Sequence, residues 1–302
     1  MRVLVSGAHG LIGSALLPAL ETAGHQVTRL VRGRPGAGDV GWDIGAGTID
    51  AGGLAGVDAV VHLAGAGLGE RRWTEEQKAA LQDSRLDGTR LLSQALAGLG
   101  QPPSVLVSGS AVGWYGNRGA EILDEDSEPG TGFLAELCRG WEAATGGAEE
   151  AGIRVVHLRS GIVQSARGGI LARQLPLFRL GVGGRLGSGR QYLSWISIDD
   201  EVGAILHVLA DASLRGPVNA TSPDPVTNAE YTRALGRVLG RPTFMAVPAA
   251  ALAVVLGQQM ADEMALASQR VRPARLEASG YRFRHPALEE ALRSALSAGS
   301  AP

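Results

Sequence analysis

Seven residues near the N-terminus, Gly7-Ala8-His9-Gly10-Leu11-Ile12-Gly13, have the types and spacing to hold a pyrophosphate. Gly7 permits a tight turn out of a strand, and Gly10 lets the backbone approach phosphate oxygens at a helix N-terminus. Gly13 lets that helix lie close to the strand. In a chain with 44 glycines the spacing alone says little, but a strand before it and a helix after it make it a dinucleotide loop. A second cluster, Ser108-Gly109-Ser110-Ala111-Val112-Gly113-Trp114-Tyr115-Gly116, follows another apolar run. A serine can polarise a carbonyl or hydroxyl and a tyrosine can pass a proton, so Ser110 and Tyr115 are the candidate catalytic residues. Tyr115 has a second reading, in which it packs on the nicotinamide or within its loop. A third cluster is cationic: Arg29-Leu30-Val31-Arg32-Gly33-Arg34 has no carboxylate to repel a ribose 2′-phosphate. It offers guanidinium groups to fork onto one, Arg32 foremost, which favours NADP(H) over NAD(H). The alternative is a solvated basic loop.

The elements that must position these groups alternate. Val3–Val5 is expected as a buried parallel strand, and helical apolar spacing runs from Leu11 through Ala15, Leu16 and Leu20. Further strands are expected at Gln26–Val31, Asp58–Gly65, Ser104–Ser108, Arg154–Leu158 and Pro217–Ala220, and Gly41–Ile44 reads as a short strand or a turn. Asp43 reads as an adenine contact or as a turn residue. His62 reads as a core histidine, and Leu63, Ala64 and Gly65 fall at a strand end where the cofactor should lie. Helices are expected at Thr74–Leu99, with Thr74 and Gln77 as a capping box, at Phe133–Ala151, from Asp199 or Asp200 to Ala210, and at Asn228–Leu239. The apolar stretch Phe244–Leu256 is too short to span a bilayer and reads as a buried helix. Short helices fill Pro242–Leu296, and the tail Ser297–Pro302 is of low complexity. The pattern predicts an α/β protein, a Rossmann-type doubly wound parallel sheet with a smaller C-terminal substrate lobe. Residues 1–164, completed by 194–221, are expected as the NADP(H)-binding lobe; 165–193 and 222–302 are expected as the substrate lobe.

A net charge of −2 gives no global pull toward nucleic acid or anionic lipid, and no ligand cluster suggests a metal. Cys138 is the only cysteine, so no intrachain disulfide can form, which fits a reducing compartment. Gly7, His9, Gly10 and Gly13 interrupt any signal-peptide core, and a cytoplasmic location is expected. The expected partner is a small-molecule substrate, with neither nucleic acid nor membrane. Lys78 is the only lysine among the 28 Lys and Arg residues, which removes one class of active site.

Taken together, GAHGLIG at Gly7, HLAG at His62, RRWT at Arg71, SRLDGT at Ser84, SGSAVGWYG at Ser108, FLAELCRGWE at Phe133, LRSGIV at Leu158 and FRLGVGGRLGSGRQYLSWISIDD at Phe178 carry a resemblance. The chain resembles the atypical or extended short-chain dehydrogenase/reductases, and within them the NADP(H)-binding, sugar-nucleotide-epimerase-like family. The resemblance implies cofactor contacts from the glycine loop, Val31-Arg32, Leu63-Ala64 and Arg85; Gly65, Ser108 and Val163 are placed with them. It also implies a Ser, Tyr, Lys and Asn working site, with Tyr and Lys four residues apart on one helix face. Ser110 matches the serine. The helix from Phe133 has neither tyrosine nor lysine, and Arg85 stands where the Asn is expected. The family's usual His is Ser197 here.

Two readings follow. One is an enzyme with altered acid/base groups, in which Arg85 or Arg159 gives electrostatic support and Arg159, Arg185, Arg190 and Trp195 line the substrate site. The arginines of that loop are equally readable as solvated. The other is an NADP(H)-binding regulatory or partner-binding protein with little turnover. Cys138 is expected in the core, and Trp141-Glu142 as a helix anchor with the glutamate toward solvent.

Overall fold

The computed structural model describes residues 1–298; the end of the tail at Ser297–Pro302 lies outside the described residues. The chain forms two compact units. The first comprises Met1–Ser110, Leu137–Leu158 and Val202–Val218, and the second Ala111–Glu136, Arg159–Glu201 and the chain from Asn219 on. The second unit thus includes 111–136, 159–164, 194–201 and 219–221, which sequence reasoning assigned to the first lobe; the boundaries between the units fall inside strands and helices and not at the loops after them.

In the first unit an eight-stranded sheet runs in the order Gly216–Ala220, Arg154–Ser160, Val105–Ala111, Ala59–His62, Arg2–Ser6, Gln26–Arg32, Val40–Asp43, Thr48–Ile49. Arg2–Ser6 pairs in parallel with both Gln26–Arg32 and Ala59–His62. The outermost pair, Val40–Asp43 with Thr48–Ile49, is antiparallel. The chain leaves Arg2–Ser6 toward one edge and later returns to build the other, so the order reverses at that strand and opens a crevice at its carboxyl end. Val3, Leu4 and Val5 have neighbours on both sides and are fully buried, as an uninterrupted apolar run in a parallel sheet requires.

Helix Leu11–Thr22 packs Leu16 and Leu20 onto this sheet. The long helix Glu75–Ala97 buries Leu81, Arg85, Gly88, Leu92 and Leu96, a single stripe at helical spacing. The Thr74 hydroxyl accepts the Gln77 amide at its start, a cap worth about 1 kcal/mol. The expected single helix 133–151 is two, Phe133–Ala143 and Gly146–Glu150. Thr145 donates its hydroxyl to the Glu142 carbonyl, and Gly146-Gly147 follow directly, where helix propensity is lowest.

In the second unit, helices Gly169–Arg179, Asn228–Leu239 and Leu288–Ala298 enclose a core of Leu171, Leu175, Phe178, Trp195, Leu235 and Leu292. Short strand pairs tie its loops: Trp195–Ser197 with Ile162–Gln164, and Gly184–Leu186 with Met245–Val247. Thr227 and Glu230 make a reciprocal capping box for Asn228–Leu239, and Gly240 ends it at φ 62°.

Two expectations are corrected in this unit. The helix Ile198–Ala210 is capped by Ser197, not by Asp199 or Asp200: the Ser197 hydroxyl accepts the Asp200 amide at 2.9 Å and donates to the Asp200 carboxylate. The stretch Phe244–Leu256 is not a buried helix. It is a strand, Met245–Val247, then Pro248, then a helix Ala249–Leu256 in which no residue is buried. Proline breaks the run in two, and the helix packs chiefly on the short turns at 258–265.

Candidate cofactor-binding site

A cleft of about 380 Å³ opens at the carboxyl ends of the first unit's central strands. Gly7, Ala8, His9, Gly10, Val31, Arg32, Leu63, Ala64 and Gly65 line it, all singled out from sequence. Leu30, Trp42, Ile44, Ala66 and Ser84 line it as well, and sequence reasoning missed them. The available signal was Trp42 and Ile44 flanking Asp43; Asp43 itself accepts the Ala46 amide and serves a turn.

Glycine sterics shape the loop. Gly7 has φ +68°, and a Cβ there would stand 2.7 Å from the Leu63 carbonyl carbon. A Cβ on Gly13 would overlap the Gly7 carbonyl, so only glycine lets the helix begin this close to the strand. Gly10 is the N-cap of Leu11–Thr22 and supplies no side-chain acceptor, and no acidic residue sits in the first turn. The amides of Leu11, Ile12 and Gly13 therefore face the cleft end of a 12-residue helix without a side-chain cap, a setting that attracts an anion. The donor set and the cradle fit a pyrophosphate.

The cleft wall is braced from behind. Ser6 Oγ accepts the amides of Leu63 and Ala64, so its proton goes to His62 Nδ1 at 2.7 Å. His62 Nε2 then donates to Thr89 Oγ1, which also accepts the Trp141 indole N–H. Complete burial pushes the His62 imidazole down to about 4, so it is neutral and structural. Arg85 lies behind Gly65: a Cβ on Gly65 would come 3.3 Å from its Cζ. Its guanidinium donates to the Ala66 carbonyl at 2.9 Å and lies 5.0 Å from the Trp141 ring centroid. Burial lowers Arg85 to about 10, which leaves it charged near neutral pH. Arg32 is exposed at the cleft rim, whereas Arg29 is bidentate to Asp39 and holds that carboxyl below its usual range. Ser108 is buried in register with His62.

Ser110, two residues beyond Ser108, donates to Glu142 Oε1 at 2.6 Å. Glu142 is only 7% exposed, which corrects its expected place toward solvent. His157 Nδ1 stands 3.7 Å from the other carboxylate oxygen, and Thr145 Oγ1 accepts from His157 Nε2. Cys138 is buried as expected.

The remaining candidates belong to the second unit. Tyr115 is fully buried; its hydroxyl donates to Asn219 Oδ1 at 2.8 Å and accepts from Arg159 at 3.1 Å. Burial pushes the phenol up to about 12 despite the nearby guanidinium. Arg159 lies 3.8 Å from the Trp114 ring centroid. Val163 pairs with Ile196. Arg185 and Arg190 are exposed, while Trp195 is fully buried and donates its indole N–H to the Asp224 carbonyl. No group of three or more metal-ligating side chains occurs among the described residues, and no helix among them is long and apolar enough to cross a membrane.

Comparison with known proteins covers nearly the whole chain. The profile of the NAD dependent epimerase/dehydratase family matches residues 3–220, and that of a domain of unknown function, DUF1731, matches 247–295. The Mycobacterium tuberculosis epimerase family protein MT2273 is 47% identical over 291 residues, 96% of each chain. The human epimerase family protein SDR39U1 is 40% identical over 296 residues, 97% of this chain and 99% of the human one. A crystal structure of human SDR39U1 (isoform 2) with NADPH superposes at a TM-score of 0.91 with 37% identity, covering 98% of this chain and 99% of that one.

Proposed function

The chain belongs to the NAD-dependent epimerase/dehydratase family, and from that premise we propose that it is an NADP(H)-binding, epimerase-like oxidoreductase or isomerase of a small molecule. The observation that carries the proposal is the cleft itself. Gly7, Gly10 and the exposed Arg32 line one crevice, and the helix that follows Gly10 starts with no side-chain cap on its amides at Leu11–Gly13. The solved relative holding NADPH supports the same choice of cofactor.

In this reading the amides of Leu11, Ile12 and Gly13 hold the pyrophosphate, and Arg32 forks onto the 2′-phosphate. Trp42 and Ile44 give adenine an apolar wall, and Leu63, Ala64 and Gly65 border the path inward. The bound nicotinamide supplies or accepts hydride. Proton handling falls to Ser110, whose hydroxyl is hydrogen-bonded to the Glu142 carboxylate and is thereby oriented toward a base. Tyr115 is left out: its hydroxyl is enclosed between Asn219 and Arg159, and its high pKa disfavours proton release. The second unit is proposed as the substrate lobe.

That enclosed tyrosine, with Leu137 four residues after Phe133 where a lysine would stand after a tyrosine, favours a second reading of a cofactor-binding protein with little turnover. Titration of purified protein with NADPH and NADH, followed by a substrate screen for NADPH oxidation, separates the two. Tight NADPH binding with a turned-over substrate supports the enzyme, and tight binding without one supports the second reading. Failure to bind either nucleotide defeats both.

A further inference from the structure

The basic residues of the second unit are unevenly spread. Residues 161–198 contain five arginines, Arg167, Arg173, Arg179, Arg185 and Arg190, and no Asp or Glu. Residues 231–261 contain three more, Arg233, Arg237 and Arg241, and no Asp or Glu, although Arg237 is ion-paired to Glu289 from a later helix. The fold joins the two segments: Gly184–Leu186 pairs in parallel with Met245–Val247, so Arg185 is in register with Ala246. At the end of helix Gly169–Arg179, Gly181 lies against Pro242, which brings Arg179 and Arg241 to the same edge. Arg179, Arg185 and Arg241 are exposed, and none has a carboxylate within ion-pair distance among the described residues.

The same segments carry the largest exposed apolar side chains of the unit. Phe244 is 80% exposed, Leu180 76%, Val254 73% and Val255 66%; Leu177, Val182 and Met245 are about half exposed. Residues 242–261 contain no charged side chain, and the helix Ala249–Leu256 buries none of its own. Isolated exposed apolar residues are ordinary on a protein surface, but here Leu180, Val182, Phe244 and Met245 gather on the segments that expose Arg179, Arg185 and Arg241; Asp262 and Glu263 follow the run at its C-terminal end.

We propose that this surface docks on an anionic phospholipid bilayer. Phe244, Leu180 and the Val254–Val255 end of the short helix enter the boundary between headgroups and acyl chains, while Arg179, Arg185 and Arg241 meet lipid phosphates. The mode is peripheral, because eight residues of helix cannot cross the hydrocarbon core. Charge selects this occupant over a second copy of the chain. A two-fold pairing would set Arg179, Arg185 and Arg241, none of them ion-paired among the described residues, against the same arginines of a second copy, and like charges repel. The inference is independent of the cofactor assignment and needs no nucleotide. It also shows how a chain of net charge −2 can carry a local attraction for anionic lipid that its overall balance conceals.

The test is co-sedimentation of the intact protein with vesicles of phosphatidylglycerol and phosphatidylcholine, against vesicles of phosphatidylcholine alone. Binding is expected to the anionic vesicles, with most of it lost between 0.1 and 0.5 M salt, concentrations chosen to span strong screening. Arg179→Gln and Arg241→Gln should each lower partitioning about fivefold, from roughly 1 kcal/mol per basic residue. The triple variant Phe244→Ser, Val254→Ser, Val255→Ser should abolish it. Unchanged NADPH affinity and unchanged circular dichroism in these variants exclude a folding defect. Absence of binding to anionic vesicles would overturn the proposal, as would displacement by millimolar inorganic phosphate, which would indicate a free-anion site. A lipid-free dimer in sedimentation velocity that the triple variant dissociates would assign the surface to a second copy instead.

Discussion

Two apolar runs of similar composition lie in opposite environments. Val3–Val5 is completely buried, while Ala249–Leu256, equally free of charge, buries no residue. The first run is a strand with hydrogen-bonded neighbours on both sides and helices on its faces. The second follows a proline and packs chiefly against short turns. Hydrophobicity sets the drive toward burial, but the number of surfaces available to the element decides whether burial occurs. Buried polar groups differ in the same direction. Among the described residues, the buried side-chain atoms without a hydrogen bond are Arg85 Nε in the first unit, and Trp114 Nε1, Glu125 Oε2, Gln174 Oε1, Glu201 Oε2 and Thr221 Oγ1 in the second. The first unit's interior is nearly saturated around its cleft, whereas the second retains unmet polar groups.

The contrast is open to attack at several points. The largest effect is expected from Gly13→Val in the saturated unit. Its Cβ would overlap the Gly7 carbonyl, and backbone cannot yield as a side-chain tip can. A loss of about 4 kcal/mol in urea unfolding is expected, together with loss of NADPH binding. Stability close to that of the parent chain would show that the loop is looser than its geometry indicates.

Next is Glu201, which is fully buried and hydrogen-bonded only through Oε1, to Ser160. Burial raises its carboxyl from 4.5 to about 7, so the folded chain holds a proton that the unfolded chain has released. Its contribution to stability is therefore full below about pH 4.5, falls as pH rises toward 7, and levels off above. By linkage the fall amounts to roughly 3 kcal/mol. Glu201→Gln should flatten that segment of the stability profile measured by denaturant unfolding at stepped pH, and an unaltered slope would remove Glu201 as its cause.

Arg32→Ala should weaken NADPH by about 1.5–3 kcal/mol and leave NADH unchanged, measured by fluorescence titration. Equal losses for both nucleotides would mean that Arg32 does not read the 2′-phosphate. The smallest effect is expected at the exposed run, where Val254→Ser should change stability by less than about 0.5 kcal/mol, because the side chain is 73% exposed. A loss of 2 kcal/mol there would dissolve the contrast between the runs.

Much of the cleft was legible in the sequence. Gly7, Gly10, Arg32 and Leu63–Gly65 line it and could be picked out because each carries a local signal: a glycine turn, a strand end, a missing carboxylate. Trp42, Ile44 and Ser84 were not found, since they come to the cleft only through strand order and the long helix. Glu142 was placed at the solvent side because a helix face can be read from spacing but its partner cannot. The acceptor for Ser110 comes from 32 residues away.

By itself, the sequence determined that a glycine-rich loop joins a buried strand to a helix, and that no Tyr-x-x-x-Lys pair exists in a chain whose one lysine is Lys78. Both follow from residue identity and backbone sterics within a few positions, and no tertiary arrangement can change them. Only the tertiary structure decided that Tyr115 is enclosed by Asn219 and Arg159, that Ser110 bonds to Glu142, and that the apolar helix Ala249–Leu256 buries none of its residues. Burial and hydrogen bonding depend on which distant segment arrives at a surface. Local pattern supplies the tendency, and the assembled chain supplies the partner.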